Sequence, residues 1–177
     1  MCVVYAVNPR HHRQDAMSIP SLPSKFCADY VTVVIDTREQ RPADVAPLKS
    51  VRGTLVTGDY SIKGLEDHIA IERKSLPDLV QSVGRERERF DRVVHRLQAY
   101  ETKAIVVEAT WEQLKAGLWR GSVTSSQVCG SVLGWMGAGV PVLLAGDASR
   151  AGDAIARMLF IAARRKYGII RNMIQGV

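Results

Sequence analysis

Cysteine is scarce in this chain, with three among 177 residues at Cys2, Cys27 and Cys129. An odd, scattered set does not read as a disulfide framework, so the fold must rest on its hydrophobic core. Long apolar runs are missing too. None approaches the roughly 20 residues that a spanning helix needs. The start, Met1-Cys-Val-Val-Tyr5, lacks a basic stretch before its apolar residues and soon meets Pro9 and His11-His12, so it does not read as a secretory signal. A reduced, cytoplasmic protein without a membrane partner is expected. Aromatic residues make up only 6%, and Trp111, Trp119 and Trp135 are expected to pack rather than stack on bases. Trp119 is the exception, because it lies in a polar stretch beside Arg120. Acidic residues are outnumbered 18 to 24 by Lys and Arg, leaving a net charge of +6, which favours an acidic partner such as nucleic acid.

What is present is enough for one ordinary globular domain, with 46% hydrophobic residues. Residues 1–30 carry Pro9, Pro20, Pro23 and several serines without sustained periodicity, and read as an irregular arm. Cys2, His11, His12 and Cys27 match no standard zinc spacing. The domain is placed at residues 31–177. Val31 to Asp36 is a nearly continuous apolar run, expected as a strand buried on both faces. Short strands are expected over residues 52–56 and 60–62, then over His68–Lys74, whose alternation suits a half-buried strand. Ser75 caps a short helix with Pro77 in its first turn. Phe90, Val93, Val94, Leu97 and Tyr100 mark one face of a helix over residues 85–100. Strands at 103–107 and 140–145 flank a helix opened by a Thr124/Gln127 capping box, with Cys129 on its apolar side. A last helix from about Ser149 is expected to stop at Gly168. The order of elements indicates an α/β fold with a mixed central sheet flanked by helices.

The chemistry sits in two short blocks. In His68-Ile-Ala-Ile-Glu-Arg-Lys74, period 2 sends Ile69 and Ile71 to one face and Glu72 and Lys74 to the other. Asp59, after Gly58, lies just upstream on another expected strand. Two carboxylates can hold a hard divalent cation such as Mg²⁺, with Mn²⁺ able to replace it. A neighbouring lysine can lower the pKa of a metal-bound water or steady a charged phosphorus centre. The bland alternative is a solvated ion cluster at a sheet edge. Charges continuing an apolar strand are costly without a purpose, which favours phosphodiester hydrolysis. Asp36 closes a buried strand, where ligands gather in such sheets, or else caps the following turn.

These blocks in order, Asp36-Thr-Arg38-Glu39, Gly58-Asp59, then Glu72-Arg-Lys74 and Asp78 after three residues, resemble the XPF family of DNA nucleases. The resemblance covers about residues 31–166 and implies a restriction-endonuclease-like fold. It implies that Asp59 and Glu72 are metal ligands and Lys74 the catalytic lysine. Asp36 would be a ligand or stand behind one, and Arg38 would meet the scissile phosphate or fix a carboxylate. Family substrates are branched or flapped duplexes, usually recognised with a helix-hairpin-helix module. None is visible here, so recognition is expected from the domain, a homodimer or a partner protein. A compact nuclease of this kind suggests a bacterial or phage setting.

Arg85, Arg89, Arg92 and Arg96 recur at i, i+4, i+7 and i+11, one stripe down the 85–100 helix. A solvated face with pairs such as Glu88 and Arg92 is one reading. The excess of positive charge favours a surface that tracks phosphates. Gly84-Arg85 matches the family's opening here, but its following Gln is absent. Arg73, on the opposite strand face from Glu72, is grouped with the arginines offered to DNA or braces the site from behind. The rivals are a catalytically silent DNA-binding subunit, against which the intact acidic and lysine positions speak, and a nuclease for RNA or single strands.

Overall fold

The computed structural model describes Pro23 and residues 25–175, so most of the expected arm, with Cys2, His11 and His12, lies outside the described residues. Six strands form one mixed sheet: β1 (Thr32–Asp36), β2 (Lys49–Gly53), β3 (Tyr60–Ile62), β4 (Ile69–Lys74), β5 (Thr102–Val107) and β6 (Val142–Leu144). Their spatial order is β2-β1-β3-β4-β5-β6. The centre is antiparallel, β1 with β3 and β3 with β4, while β1 with β2, β4 with β5 and β5 with β6 run parallel. Among the described residues five α-helices flank the sheet, α1 (Leu76–Val83), α2 (Arg87–Gln98), α3 (Trp111–Ala116), α4 (Ser125–Gly137) and α5 (Ala148–Gln175), and a 3-10 turn over Ala28–Tyr30 precedes β1.

The sheet separates two apolar clusters. On one face Val33, Ile35, Tyr60, Ile69, Ile71 and Val106 meet α5 through Ala151, Ile155, Leu159 and Ala162. On the other, Ala70, Ile105 and Val107 meet α1, α2 and α4 through Leu79, Phe90, Leu97, Val128 and Trp135. The alternation along β4 therefore assigns Ile69 and Ile71 to α5 and sends Glu72 and Lys74 towards α1 and α2. Both faces are covered, so β4 is buried on each side from Ile69 to Glu72, not half-buried as its alternation suggested.

Local signals account for most element ends. The Ser75 hydroxyl accepts from the Asp78 amide to cap α1, and Pro77 occupies its first turn. Thr124 and Gln127 form the expected capping box of α4, and Thr110 and Gln113 form a second one at α3, a helix the periodicity did not reveal. Three boundaries differ from expectation. The second strand runs over Lys49–Gly53 rather than 52–56, because its parallel register with β1 ends at Asp36 opposite Gly53. The second helix begins at Arg87, leaving Gly84 to Glu86 as a turn after α1. Gly168 does not stop α5, which continues to Gln175: an interior glycine costs only about 1 kcal/mol, and no proline follows.

Candidate active site

The central antiparallel strands bring the two chemical blocks together. Gly58 adopts φ +80°, and a Cβ there would lie 3.0 Å from the Ile71 carbonyl oxygen. Only glycine lets the turn approach β4 so closely. The Asp59 amide then donates to the Ile71 carbonyl at 2.8 Å, and the Asp36 amide donates to the Asp59 carbonyl at 2.8 Å. One Asp59 carboxylate oxygen accepts from the Arg73 amide at 2.7 Å. These bonds fix Asp59 between β1 and β4, on the face that carries Glu72.

Glu72 and Lys74 form a close pair, Oε1 to Nζ 2.7 Å, with side chains 8% and 18% exposed. Burial pulls the Lys74 pKa down, but the charge of Glu72 and its hydrogen bond, helped by Asp59 and Asp78, outweigh it and hold the pKa above its usual value. Lys74 is therefore an ammonium, and its Nζ also stands 4.9 Å from the Phe90 ring centroid. Asp59 is affected in the opposite sense. Burial, and then the facing Glu72 carboxylate, push it up to about 7.

Asp36 is enclosed by donors. It is buried, and its oxygens accept from the Arg38 amide at 2.9 Å, Arg38 Nε at 2.6 Å, Arg38 Nη2 at 3.0 Å and the Leu55 amide at 2.7 Å. Burial pushes its pKa up, but the Arg38 guanidinium and the two amides hold it down at about 2. Four donors occupy its two oxygens and Asp36 holds Arg38 in place, an arrangement that suits standing behind the ligands, one of the two roles expected of it. The guanidinium reaches the cleft from there and also donates to the Leu55 carbonyl at 2.7 Å.

The cleft, about 330 Å³, has Glu72 and Lys74 at its base, Arg38, Val56 and Asp59 on the β2–β3 side and Arg89, Arg92 and Arg96 on the α2 side. Three of the four striped arginines thus line it. Arg96 Nε also donates to the buried Thr57 hydroxyl at 3.1 Å, which ties the Gly58 turn to α2. Arg85 precedes α2 and donates to Gln81 at 2.8 Å, one step away from the cleft. Arg73 points to the α5 side of the sheet. Its guanidinium pairs with Glu108 and with Glu39, the latter at 3.4 Å, and donates to the Arg41 carbonyl at 2.6 Å. These partners suit the bracing role that was offered beside the DNA-facing one. Glu108 was missed by the sequence reading, although a carboxylate at the end of a buried strand repeats the signal that marked Asp36. Trp119 packs on the core and donates to the Val123 carbonyl at 2.8 Å.

Among the described residues no group of three or more His, Cys, Asp or Glu side chains is arranged to hold a metal ion. The donor set that remains is the pair Asp59 and Glu72. It fits Mg²⁺ or Mn²⁺, which take oxygen ligands, need few from protein and keep several waters. Even with Lys74 paired to Glu72, burial and the Glu72 charge keep the Asp59 pKa raised, the setting in which two facing carboxylates would share a cation.

Comparison with known proteins matches residues 35–158 to the model of the ERCC4 domain. No curated protein matches the chain. Among solved structures, XPF from Aeropyrum pernix superposes with a TM-score of 0.59 at 22% identity, covering 78% of this chain and 68% of that one. The same archaeal XPF in complex with DNA gives 0.56 at 21% identity, covering 76% and 66%. The sheet and its flanking helices are those of the XPF nuclease fold. Among the described residues no helix is long and apolar enough to cross a membrane.

Proposed function

Because this chain belongs to the ERCC4 domain family, we propose that it is a divalent-metal-dependent endonuclease that hydrolyses phosphodiester bonds in branched or flapped DNA. The observation that carries this reading is one cleft that joins the Asp59/Glu72 pair, the Lys74 ammonium and three arginines of α2. Asp59 and Glu72 would hold Mg²⁺, which would supply positive charge at the phosphoryl oxygens and lower the pKa of a bound water.

The protein's own groups do the rest. Lys74, kept charged by Glu72, stabilises negative charge that builds on the phosphoryl group. Arg38 places a second cation at the phosphate, aimed by its bidentate pair with Asp36. Arg89 and Arg92 take neighbouring phosphates of the same strand and fix its register, work that carries no sequence information. Arg73 keeps the loop of Arg38 and Glu39 attached to the ends of β4 and β5. DNA arriving as a duplex with a branch is favoured over RNA by the family alone, and a second copy or partner chain is the expected further source of junction recognition.

The test is cleavage of an end-labelled 3′-flap duplex beside an RNA hairpin and an unbranched duplex, in Mg²⁺ and in EDTA. Metal-dependent cutting of the flap in preference to the other two supports the reading. Binding to the flap without cutting in Mg²⁺ or Mn²⁺ would make the protein a silent DNA-binding subunit instead.

A further inference from the structure

The catalytic cleft does not end at α2. Arg89 and Arg92 also line a second groove, of about 550 Å³, that runs along residues 84–88. Four arginines, Arg85, Arg87, Arg89 and Arg92, face it against two acids, Glu86 and Glu88. Arg89 pairs with Glu86 at 2.7 Å and Arg87 with Asp91 at 3.7 Å, while Arg92 has no ion-pair or hydrogen-bond partner among the described residues. Glu88 does not reach Arg92, so the pair that would have neutralised this face is not made. The groove is basic in excess, and it is continuous with the place where a strand would be cut.

At its far end the groove reaches Gly84, the residue that ends α1. A Cβ at Gly84 would lie 2.7 Å from Val123 Cγ2, so the loop between α3 and α4 is packed against it. Val123 in turn accepts the Trp119 indole N–H through its carbonyl at 2.8 Å. Gly117 at φ +64° and Gly121 at φ +117° turn the chain sharply on either side of the segment between them. That segment holds Leu118, 90% exposed, the half-buried Trp119 and the exposed Arg120, which has no charged partner among the described residues. The loop therefore presents a large apolar side chain, an anchored indole and an arginine to solvent together.

We propose that the groove and the 118–120 loop together form a track for a single-stranded arm of the DNA, separate from the duplex held at the cleft. The inference rests on the DNA-cleaving reading and names which part of the substrate this surface takes. Beyond Arg92, which belongs to the cleft, Arg85 and Arg120 follow the phosphates of the arm, and Leu118 with the open edge of Trp119 meets unstacked bases. An apolar and aromatic contact of this kind suits a single strand, whose bases are available, and gains nothing from a duplex, whose bases are stacked inside. From Arg96 to Arg87 α2 alone covers about 14 Å by helical rise, and the turn of Gly84 to Glu86 lies beyond it, so an arm must be several nucleotides long to reach the loop.

The experiment is equilibrium binding by fluorescence anisotropy, in EDTA to prevent cutting, for a duplex bearing single-stranded arms of 0 to 12 nucleotides. The wild type should tighten about tenfold as the arm grows and then level off, as one or two stacked bases would give. Leu118→Ser and Arg120→Gln, both at exposed positions and checked by thermal melting, should flatten that dependence. Their affinity for the armless duplex should not change. A wild type indifferent to arm length, or variants that keep the full dependence, would overturn the track while leaving a DNA-cutting wild type intact. A wild type that binds no DNA at all would overturn both readings.

Discussion

Replacing Asp36 by Asn tests whether the active-site arginine is held by a buried anion. The carboxylate accepts four hydrogen bonds, three from Arg38 and one from the Leu55 amide. Asn keeps the shape but turns an NH₂ group towards one of those donors, and a mismatch of this kind costs about 1–3 kcal/mol. A second route gives a similar figure. The Asp36 pKa is held at about 2 against an ordinary 3.8, and at about 1.4 kcal/mol per unit this is an upper bound of roughly 2–3 kcal/mol. The Arg38 side chain is 69% exposed, so solvent screening brings the expectation to about 1–2 kcal/mol. The sign follows from a depressed folded-state pKa. The contribution is complete above 3.8 and is lost as pH falls towards 2. Urea unfolding of wild type and Asp36→Asn should therefore differ by about 1–2 kcal/mol at pH 7, with about half of that gap closed at pH 3. Single-turnover cleavage should fall with the variant at pH 7, because Arg38 is no longer aimed. A gap independent of pH, or no gap at pH 7, would refute the reasoning.

Other expectations follow from single contacts. Gly58→Ala places a Cβ 3.0 Å from the Ile71 carbonyl oxygen at φ +80°, so thermal melting should show a loss of about 1–3 kcal/mol, with cleavage reduced because Asp59 moves. Tyr60→Phe removes the hydroxyl that accepts the buried Ala43 amide at 2.7 Å; urea titration should show a loss of about 1–3 kcal/mol, and activity per folded molecule should be retained. Arg92→Gln removes a cation without a protein partner, so the slope of log affinity for DNA against log salt should shrink by about 0.9 with stability unchanged.

The parts of this protein that were legible in advance are those governed by local rules. Alternation placed Glu72 and Lys74 on one face of a strand, and the structure puts them 2.7 Å apart. Capping residues at Ser75 and Thr124 placed two helix starts correctly. Tertiary pairing set what local rules could not. The β2 boundary depends on its register with β1, and sequence alone does not show where Asp36 lies relative to Gly53. For Asp36 the strand end indicated a ligand or a residue behind one, without showing which donors it meets. The loop that folds Arg38 and Leu55 back onto its oxygens is a long-range feature. Likewise the spacing of the arginines identified a stripe, but only the packing of α2 over β4 shows that Arg89, Arg92 and Arg96 reach the cleft and Arg85 does not. Glu108 acquires meaning only through Arg73, its partner from the neighbouring strand.

The central claim is that Asp59 and Glu72 hold the cation used for phosphodiester cleavage. The most direct measurement is Mn²⁺ binding by electron paramagnetic resonance, paired with single-turnover cleavage of a labelled flap, for the wild type, Asp59→Asn and Glu72→Gln, each verified as folded. The account expects both variants to lose bound Mn²⁺ and to cut at least a hundredfold more slowly, on the order of the effect of removing a major electrostatic contributor, while still binding the flap. Variants that bind Mn²⁺ and cut as the wild type does would contradict it.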